Sequence, residues 1–375
     1  MRIYCEDSLL YAREFFSSLG DLQFFSGKSV RPQDISDAEI LLVRSTTKVN
    51  QTLIGQCQHL RYVGTATAGT DHMDLAYLSQ HGIAHGSAAG CNAIAVAEYV
   101  VSAILALALK NGDSLKGKRV GIVGAGHVGS ALDAKLQALG LSTLLCDPPL
   151  AEKGDPRHFV SMDEIMDCDI ISLHVPLVED GLYPTRHLFD AKRLSALNKN
   201  QWLINACRGE VLDNQALLML AQQQEHCQMV LDVWENEPDV LLELLPHLAL
   251  ATAHIAGHTL EGKARGTELL YRQVTKLLGL PDNIKLEDVL PQPELDVLSP
   301  QGEGLDAIMQ LVFSLYDIRE DDGAFREQVN GPADFRYARQ HYGIRREFAS
   351  ARVSTGNSAL AEAIYGLGFQ SAECE

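Results

Sequence analysis

Arg119-Val120-Gly121-Ile122-Val123-Gly124-Ala125-Gly126-His127-Val128-Gly129 decides the fold. Residues 119–123 read as a buried strand, and the spacing from Val128 to Leu139 reads as a helix. Between them lies a Gly-x-Gly-x-x-Gly turn. Alone that pattern is weak; placed strand–turn–helix it has a mechanism. Gly124 permits the tight turn, Gly126 lets backbone approach a pyrophosphate, and Gly129 lets the helix pack on the strand. The helix start, with His127 and Val128, then faces the negative charge. Asp147 stands at the end of the next strand, placed to accept hydrogen bonds from ribose hydroxyls. Pro148 and Pro149 follow it, with no Arg or Lys to hold a 2′-phosphate. The expected cofactor is therefore NAD. The alternative is a glycine turn of structural use only.

Five more apolar runs follow the same logic: 143–146, 170–174, 202–205, 229–233 and 250–253. Helical patterns such as 214–224 separate most of them. Six strands alternating with amphipathic helices predict a doubly wound parallel (Rossmann) sheet over residues 96–257. Upstream, Ile40 to Val43 and Tyr62 to Thr65 predict a small α/β domain over residues 1–95. The helix around Glu261 to Leu278 returns the chain to it, so the substrate domain is expected to be discontinuous, 1–95 plus 258–284, with a cleft against the second domain. Pro281, Pro291, Pro293 and Pro300 mark a linker. Beyond it, Leu305, Ile308, Met309, Leu311, Val312 and Leu315 have helical spacing. Residues 285–375 form a third, α+β piece, small for independent stability, for which burial against a second subunit is a natural solution.

The net charge of −18 disfavours nucleic acid as a partner. An anionic substrate must be caught by local Arg or Lys. The eight cysteines show no metal-binding rhythm and read as free thiols of a reducing cytoplasm. The N-terminus lacks a signal-peptide pattern. The longest apolar stretch, Tyr99 to Leu109, is shorter than the roughly 20 residues that span a bilayer. A buried helix, at a subunit contact or in the core, is expected there, with no membrane partner.

Three residues then stand out at successive strand ends. Oxidising a 2-hydroxy acid removes a hydroxyl proton while hydride leaves the same carbon. His254 has the chemistry of the proton carrier. Glu237 would favour the charged imidazole, and Arg208 offers a planar fork for a carboxylate. Asp232, ending its strand, is placed for the nicotinamide amide. Each has a plainer reading. His254 is one of thirteen histidines. Glu237 before Pro238 could be a turn residue, Arg208 a solvated loop charge, and Asp232 a solvated end-cap. Their joint placement lifts the set above those readings.

Residues 1–280 resemble the D-isomer-specific 2-hydroxyacid dehydrogenase family. The matches are Gly124 to Gly129 with Asp147, His174-Val175-Pro176-Leu177, Asn205-Ala206-Cys207-Arg208-Gly209, Leu231-Asp232-Val233, Glu237-Pro238 and His254-Ile255-Ala256-Gly257. The resemblance implies Arg208, Glu237 and His254 as catalytic residues. It implies Val175, Ala206, Cys207, Asp232 and Gly257 as further NAD contacts. It also places Thr67-Ala68-Gly69-Thr70-Asp71 near a substrate carboxylate. Arg44 to Val49, Asp180 to Phe189, Asp232 to Asp239 and His258 to Gly266 are similar to one branch of that family. That branch acts on a small phosphorylated 2-hydroxy acid, retains NAD and forms homodimers through its tail. Ser45, Thr67, Arg44 and His258 are the expected substrate contacts. Val175 stands where the family often has Thr, and His258 where it often has Tyr. Arg336, Arg339, Arg345 and Arg346 are either solvated or reach a neighbouring subunit, and solvation is the favoured reading. Phosphoglycerate or another D-2-hydroxy acid is the competing substrate, and a nucleotide-sensing corepressor or scaffold the competing class.

Overall fold

A computed structural model describes residues 1–223, 226–292 and 297–372. Gln224, Pro293 and Cys374 lie outside the described residues. The chain divides into two compact units: Met1–Asn92 with Thr259–Gln292, and Ala93–His258 with Pro293–Glu375.

The first unit is built on five parallel strands: β1 (Arg2–Glu6), β2 (Asp21–Phe25), β3 (Ile40–Val43), β4 (Tyr62–Thr65) and β5 (Ala84–Ser87), in the order β2-β1-β3-β4-β5. Only β3 and β4 are buried throughout, which is why they alone read clearly from sequence. β5 is Ala-His-Gly-Ser and has no apolar signal; it forms by pairing with β4, Tyr62 opposite Ala84. The helix Leu260–Leu278 returns to this unit, as expected. Leu270, Tyr271 and Val274 share a core with Phe15, Phe16 and Tyr62. Gly64 makes room for it, since a Cβ there would lie 2.9 Å from Leu270.

The second unit carries six parallel strands: β6 (Arg119–Val123), β7 (Ser142–Cys146), β8 (Ile170–Leu173), β9 (Trp202–Asn205), β10 (Gln228–Leu231) and β11 (Leu250–Ala251). Their order, β11-β10-β9-β8-β6-β7, reverses direction between β6 and β8. Open α/β sheets bind ligands at such a switch point, beyond the carboxyl ends of the strands. All the expected second-domain strands are present, and three end earlier than read: β8 at Leu173, β10 at Leu231 and β11 at Ala251. The residues that follow are therefore loop, free to carry side chains for chemistry.

The apolar helix is Ala93–Asn111. By length and composition it passes for a membrane span, yet Ala95 to Ala108 are all buried inside this chain. Part of its covering is the C-terminal segment. Ala307, Ile308, Leu311 and Val312, on the helix Gly304–Leu315, belong to the same core cluster as Val100, Ile104 and Leu107. The C-terminal residues thus share the second unit's core instead of enclosing one of their own. They add a short parallel pair, β12 (Arg352–Val353) with β13 (Gln370–Ser371). One charged contact fastens this packing. Glu98, 1% exposed, pairs with Lys135 at 3.1 Å. Lys135 also donates to the Leu367 carbonyl, and the Phe348 amide donates to Glu98 Oε2 at 3.1 Å. The seven described cysteines are free and buried.

Candidate active site

The glycine turn has the geometry its sequence demands. Gly124 has φ +92°, and a Cβ there would meet the His174 carbonyl at 2.5 Å. A Cβ at Gly129 would meet the Gly124 carbonyl oxygen at 2.0 Å, so the helix His127–Ala138 sits hard against the turn. At Gly126 a Cβ would meet nothing within 4 Å. That open side, at a helix start, suits an incoming phosphate. Asp147 ties the turn to the next strand: its carboxylate accepts from Ala125 N at 2.8 Å and Leu150 N at 3.1 Å. Asp147 borders a cavity of about 540 Å³ that Pro148, Pro149, Val175 and Tyr183 also line. Two arginines unnoticed in the sequence line it too. Both are engaged: Arg186 with Glu179 and Arg193 with the Leu188 carbonyl. The Tyr183 hydroxyl bonds Glu152. The cavity therefore fits an adenosine with free ribose hydroxyls better than one with a 2′-phosphate.

His254 and Glu237 meet at the carboxyl edge of β10 and β11. His254 Nδ1 lies 2.7 Å from Glu237 Oε2, and the Trp234 amide donates to Glu237 Oε1 at 2.9 Å. Burial alone would push the Glu237 carboxyl up. The charge and hydrogen bond of His254, then the charge of Arg339, outweigh it and leave the carboxyl below its ordinary range. Neither residue is a turn accessory, since the pair requires both loops. His254 has φ +57°, a left-handed conformation uncommon in a non-glycine residue.

The neighbouring loops hold that conformation. Asp232, 1% exposed, is no solvated end-cap. Its Oδ1 accepts from Thr252 Oγ1 and Ile255 N, both at 2.7 Å, and its Oδ2 accepts from Ala256 N at 3.0 Å. The Tyr99 hydroxyl lies 2.8 Å from Thr252 Oγ1 and extends the network to the central helix. On the other side, Arg345 Nη2 donates to the carbonyls of Ala95 (2.6 Å) and Ala256 (2.8 Å).

Arg208 lies on the loop after β9, next to β10 in the sheet. Asn205 Nδ2 donates to the Arg208 carbonyl at 2.9 Å, and Arg208 Nη1 donates to the Cys207 carbonyl at 2.7 Å. Gly209 lets this loop touch the one that carries Glu237: a Cβ there would lie 1.9 Å from the Trp234 carbonyl carbon. Ala206 and Cys207 are buried, and burial pushes the Cys207 thiol up to about 11, so it stays protonated. Val175 and Gly257 are half-buried on loops at the same strand ends.

In the first unit, Arg44 and Ser45 follow β3 and Thr67 follows β4, at neighbouring carboxyl ends. Thr67 Oγ1 donates to the Gly69 carbonyl at 2.8 Å and lies 2.7 Å from Thr65 Oγ1. The Arg44 loop hangs on Glu6, a residue the sequence reading missed. Its carboxylate accepts from Arg44 N (2.8 Å), Thr46 Oγ1 (3.0 Å) and Thr47 Oγ1 (2.6 Å). His258 lies at the end of the second unit, its ring 6.1 Å from that of Tyr342. The tail arginines divide. Arg336 is exposed, as expected of a solvating charge. Arg345 is buried, and Arg339 Nη1 stands 3.7 Å from Glu237 Oε2. A basic residue on an amphipathic helix gives no sequence signal of such a partner about 100 residues away.

Residues 102–256 match the family described as D-isomer specific 2-hydroxyacid dehydrogenase, NAD binding domain. Residues 289–368 match a family described only as a domain of unknown function. The erythronate-4-phosphate dehydrogenase of Pseudoalteromonas atlantica is 58% identical over 371 residues, covering 98% of this chain and 99% of its own. The proteins of that name from Serratia proteamaculans and an Escherichia coli strain are 47% and 45% identical, each over 99% of this chain and at least 98% of their own. Among solved structures, an Aquifex aeolicus D-lactate dehydrogenase complexed with NAD and lactic acid aligns with a TM-score of 0.59 at 25% identity, over 74% of this chain and 96% of its own. An Entamoeba histolytica 3-phosphoglycerate dehydrogenase bound to NAD+ shares the fold, with a TM-score of 0.63 at 21% identity over 74% and 95% of the two chains. The chain belongs to the erythronate-4-phosphate dehydrogenase family, and its dinucleotide-binding half to the D-isomer-specific 2-hydroxyacid dehydrogenases.

Proposed function

We propose that the chain oxidises 4-phospho-D-erythronate to 2-oxo-3-hydroxy-4-phosphobutanoate, with NAD as hydride acceptor, in pyridoxal phosphate biosynthesis. The observation that carries the chemistry is the 2.7 Å contact between His254 Nδ1 and Glu237; the substrate rests on the 58% identity to an erythronate-4-phosphate dehydrogenase. With Nδ1–H donated to the carboxylate, the Nε2 lone pair faces outward as a base. It takes the C2 hydroxyl proton, and Glu237 stabilises the imidazolium that results. Arg208 holds the substrate carboxylate by its planar fork. Bound NAD supplies the acceptor for the hydride that leaves C2. The turn Gly124 to Gly129, with His127 and Val128, would hold its pyrophosphate and Asp147 its ribose. Val175, Ala206, Cys207 and Gly257 would contact its remainder, near the loop that Asp232 fixes.

Arg44, Ser45, Thr67 and His258 are the substrate-binding residues in this reading. The C-terminal residues join two copies, in the cytoplasm; Tyr337 (63% exposed) and Ile344 (83%) are apolar side chains suited to such a contact. The test is NADH formation with 4-phospho-D-erythronate beside 3-phosphoglycerate and D-lactate. The first substrate should be preferred, and His254→Ala should lower kcat by roughly a hundredfold or more. Preference for 3-phosphoglycerate would overturn the substrate; undiminished turnover by the variant would overturn the mechanism.

A further inference from the structure

The C-terminal segment reaches the loops of the His254–Glu237 pair at two points. Arg345, 5% exposed, braces the Ala256 carbonyl, with its guanidinium 4.2 Å above the Tyr316 ring. Arg339, on the helix Pro332–Gln340, stands 3.7 Å from the carboxylate oxygen that pairs with His254. We propose that Arg339 is a positioning residue for the proton transfer: it shares the Glu237 carboxylate with His254 and so limits how tightly that carboxylate holds the imidazolium. This deepens the reading of His254 as the base and rests on it. It also gives the segment of unknown function a part in the chemistry, separate from any role in joining subunits.

The surroundings single out Arg339. Around the couple, the loop after β10 carries Asp232, whose carboxylate is taken by Thr252 and the 255 and 256 amides. The same loop carries Glu235, paired with His187 at 2.6 Å. The loop after β9 carries Arg208, whose Nη1 is bonded to the Cys207 carbonyl. Apart from His254, Arg339 is the charge that acts most strongly on Glu237. A general base works best when its proton affinity lies near the working pH. A carboxylate without a second cation would attract the imidazolium more strongly. A second cation on the same carboxylate weakens that hold.

The test uses the full-length chain with Arg339→Gln, Arg339→Lys and, as a control on the same helix, Arg336→Gln. Two quantities are read. One is the titration of the Glu237 carboxyl by 13C NMR without substrate, assigned with Glu237→Gln. The other is the acid limb of the kcat/KM–pH profile. Arg339→Gln should move both upward by about half a pH unit, a discounted effect because Arg339 is partly exposed. Arg339→Lys should restore most of the shift, and Arg336→Gln should move neither. No movement in Arg339→Gln, or an equal movement in either other variant, overturns the proposal. The NMR arm needs no substrate, so a wrong substrate assignment leaves it standing and shows only as missing turnover in the wild-type chain.

Discussion

Asp232 and Ile255 are joined by a 2.7 Å hydrogen bond from amide to carboxylate, across 23 residues of chain. Through it the exit of β10 dictates the path of the loop that presents His254. Asp232→Asn keeps the shape but turns an N–H donor towards the amides of that loop. A mispaired buried polar group costs about 1–3 kcal/mol. The expected result is a stability loss of that size by urea unfolding, with a tenfold to hundredfold fall in kcat/KM from the displaced imidazole. Wild-type kinetics in a destabilised variant would separate the network from catalysis.

Gly209 is required by space, not by dihedral angle. Its neighbour is the Trp234 carbonyl, which is backbone and cannot rotate aside. Gly209→Ala must part the Arg208 loop from the Glu237 loop. We expect the substrate KM to rise and kcat to fall, together worth roughly a hundredfold in kcat/KM. Stability should fall by about 1–3 kcal/mol. A variant with unaltered kinetics would show that the two loops act independently.

His174 provides a pH signature of the fold. Desolvation holds its ring neutral and lowers its titration to about 3, with Ser172 Oγ 2.8 Å from Nε2. The unfolded chain, titrating near 6.5, binds the proton more readily. Stability contributed by the neutral ring is thus complete above about pH 6.5 and declines as pH falls towards 3, by at most about 1.4 kcal/mol per unit. His174→Gln should flatten that slope between pH 6.5 and 4 in urea titrations. An unchanged slope would mean that other groups dominate acid unfolding.

Arg44 tests the phosphate end of the proposed substrate. Glu6 holds this loop by its backbone amide and the threonine hydroxyls, so removing the guanidinium should leave the loop in place. Arg44→Ala should raise KM for 4-phospho-D-erythronate tenfold to hundredfold, as expected for a charge-assisted hydrogen bond of about 1.5–3 kcal/mol. D-erythronate, which lacks the phosphate, should be little affected. Equal losses for both compounds would remove Arg44 from phosphate binding.

What the sequence made legible was local or repeated. Gly124, Gly126 and Gly129 lie within six residues, and their spacing encodes backbone geometry directly. β3, β4 and β6 to β10 carry dense apolar runs because both faces of a parallel sheet are covered. The proposed trio, Arg208, Glu237 and His254, was visible because three chemically suited residues fell just past strands. What stayed hidden depended on distant partners. β5 has no apolar content and exists through β4. Glu6 looks like an ordinary charge ending a strand, yet it organises a loop about 40 residues away. Asp232 read as a contact to the nicotinamide amide, with a solvated end-cap as the alternative; its three intramolecular donors, Thr252 and the amides of residues 255 and 256, gave no signal in sequence. Arg339 and Arg345 read as surface charges on a tail because nothing nearby in sequence hints at Glu237 or Ala256.

The buried Glu98–Lys135 pair constrains anyone who would redesign this protein. Its two further partners, the Leu367 carbonyl and the Phe348 amide, come from the final thirty residues. Cutting the chain near Leu290 would remove both partners and uncover the apolar residues, Val100, Ile104 and Leu107, that share a core with the tail, leaving an exposed apolar patch prone to aggregation. A minimal enzyme cannot be made by deletion alone. A chimera must transplant the matching faces of the helices Ala93–Asn111 and His127–Ala138 with the tail, or replace the apolar residues that its loss uncovers with polar ones. The tail is thus no detachable module: its removal has to be written into the interior.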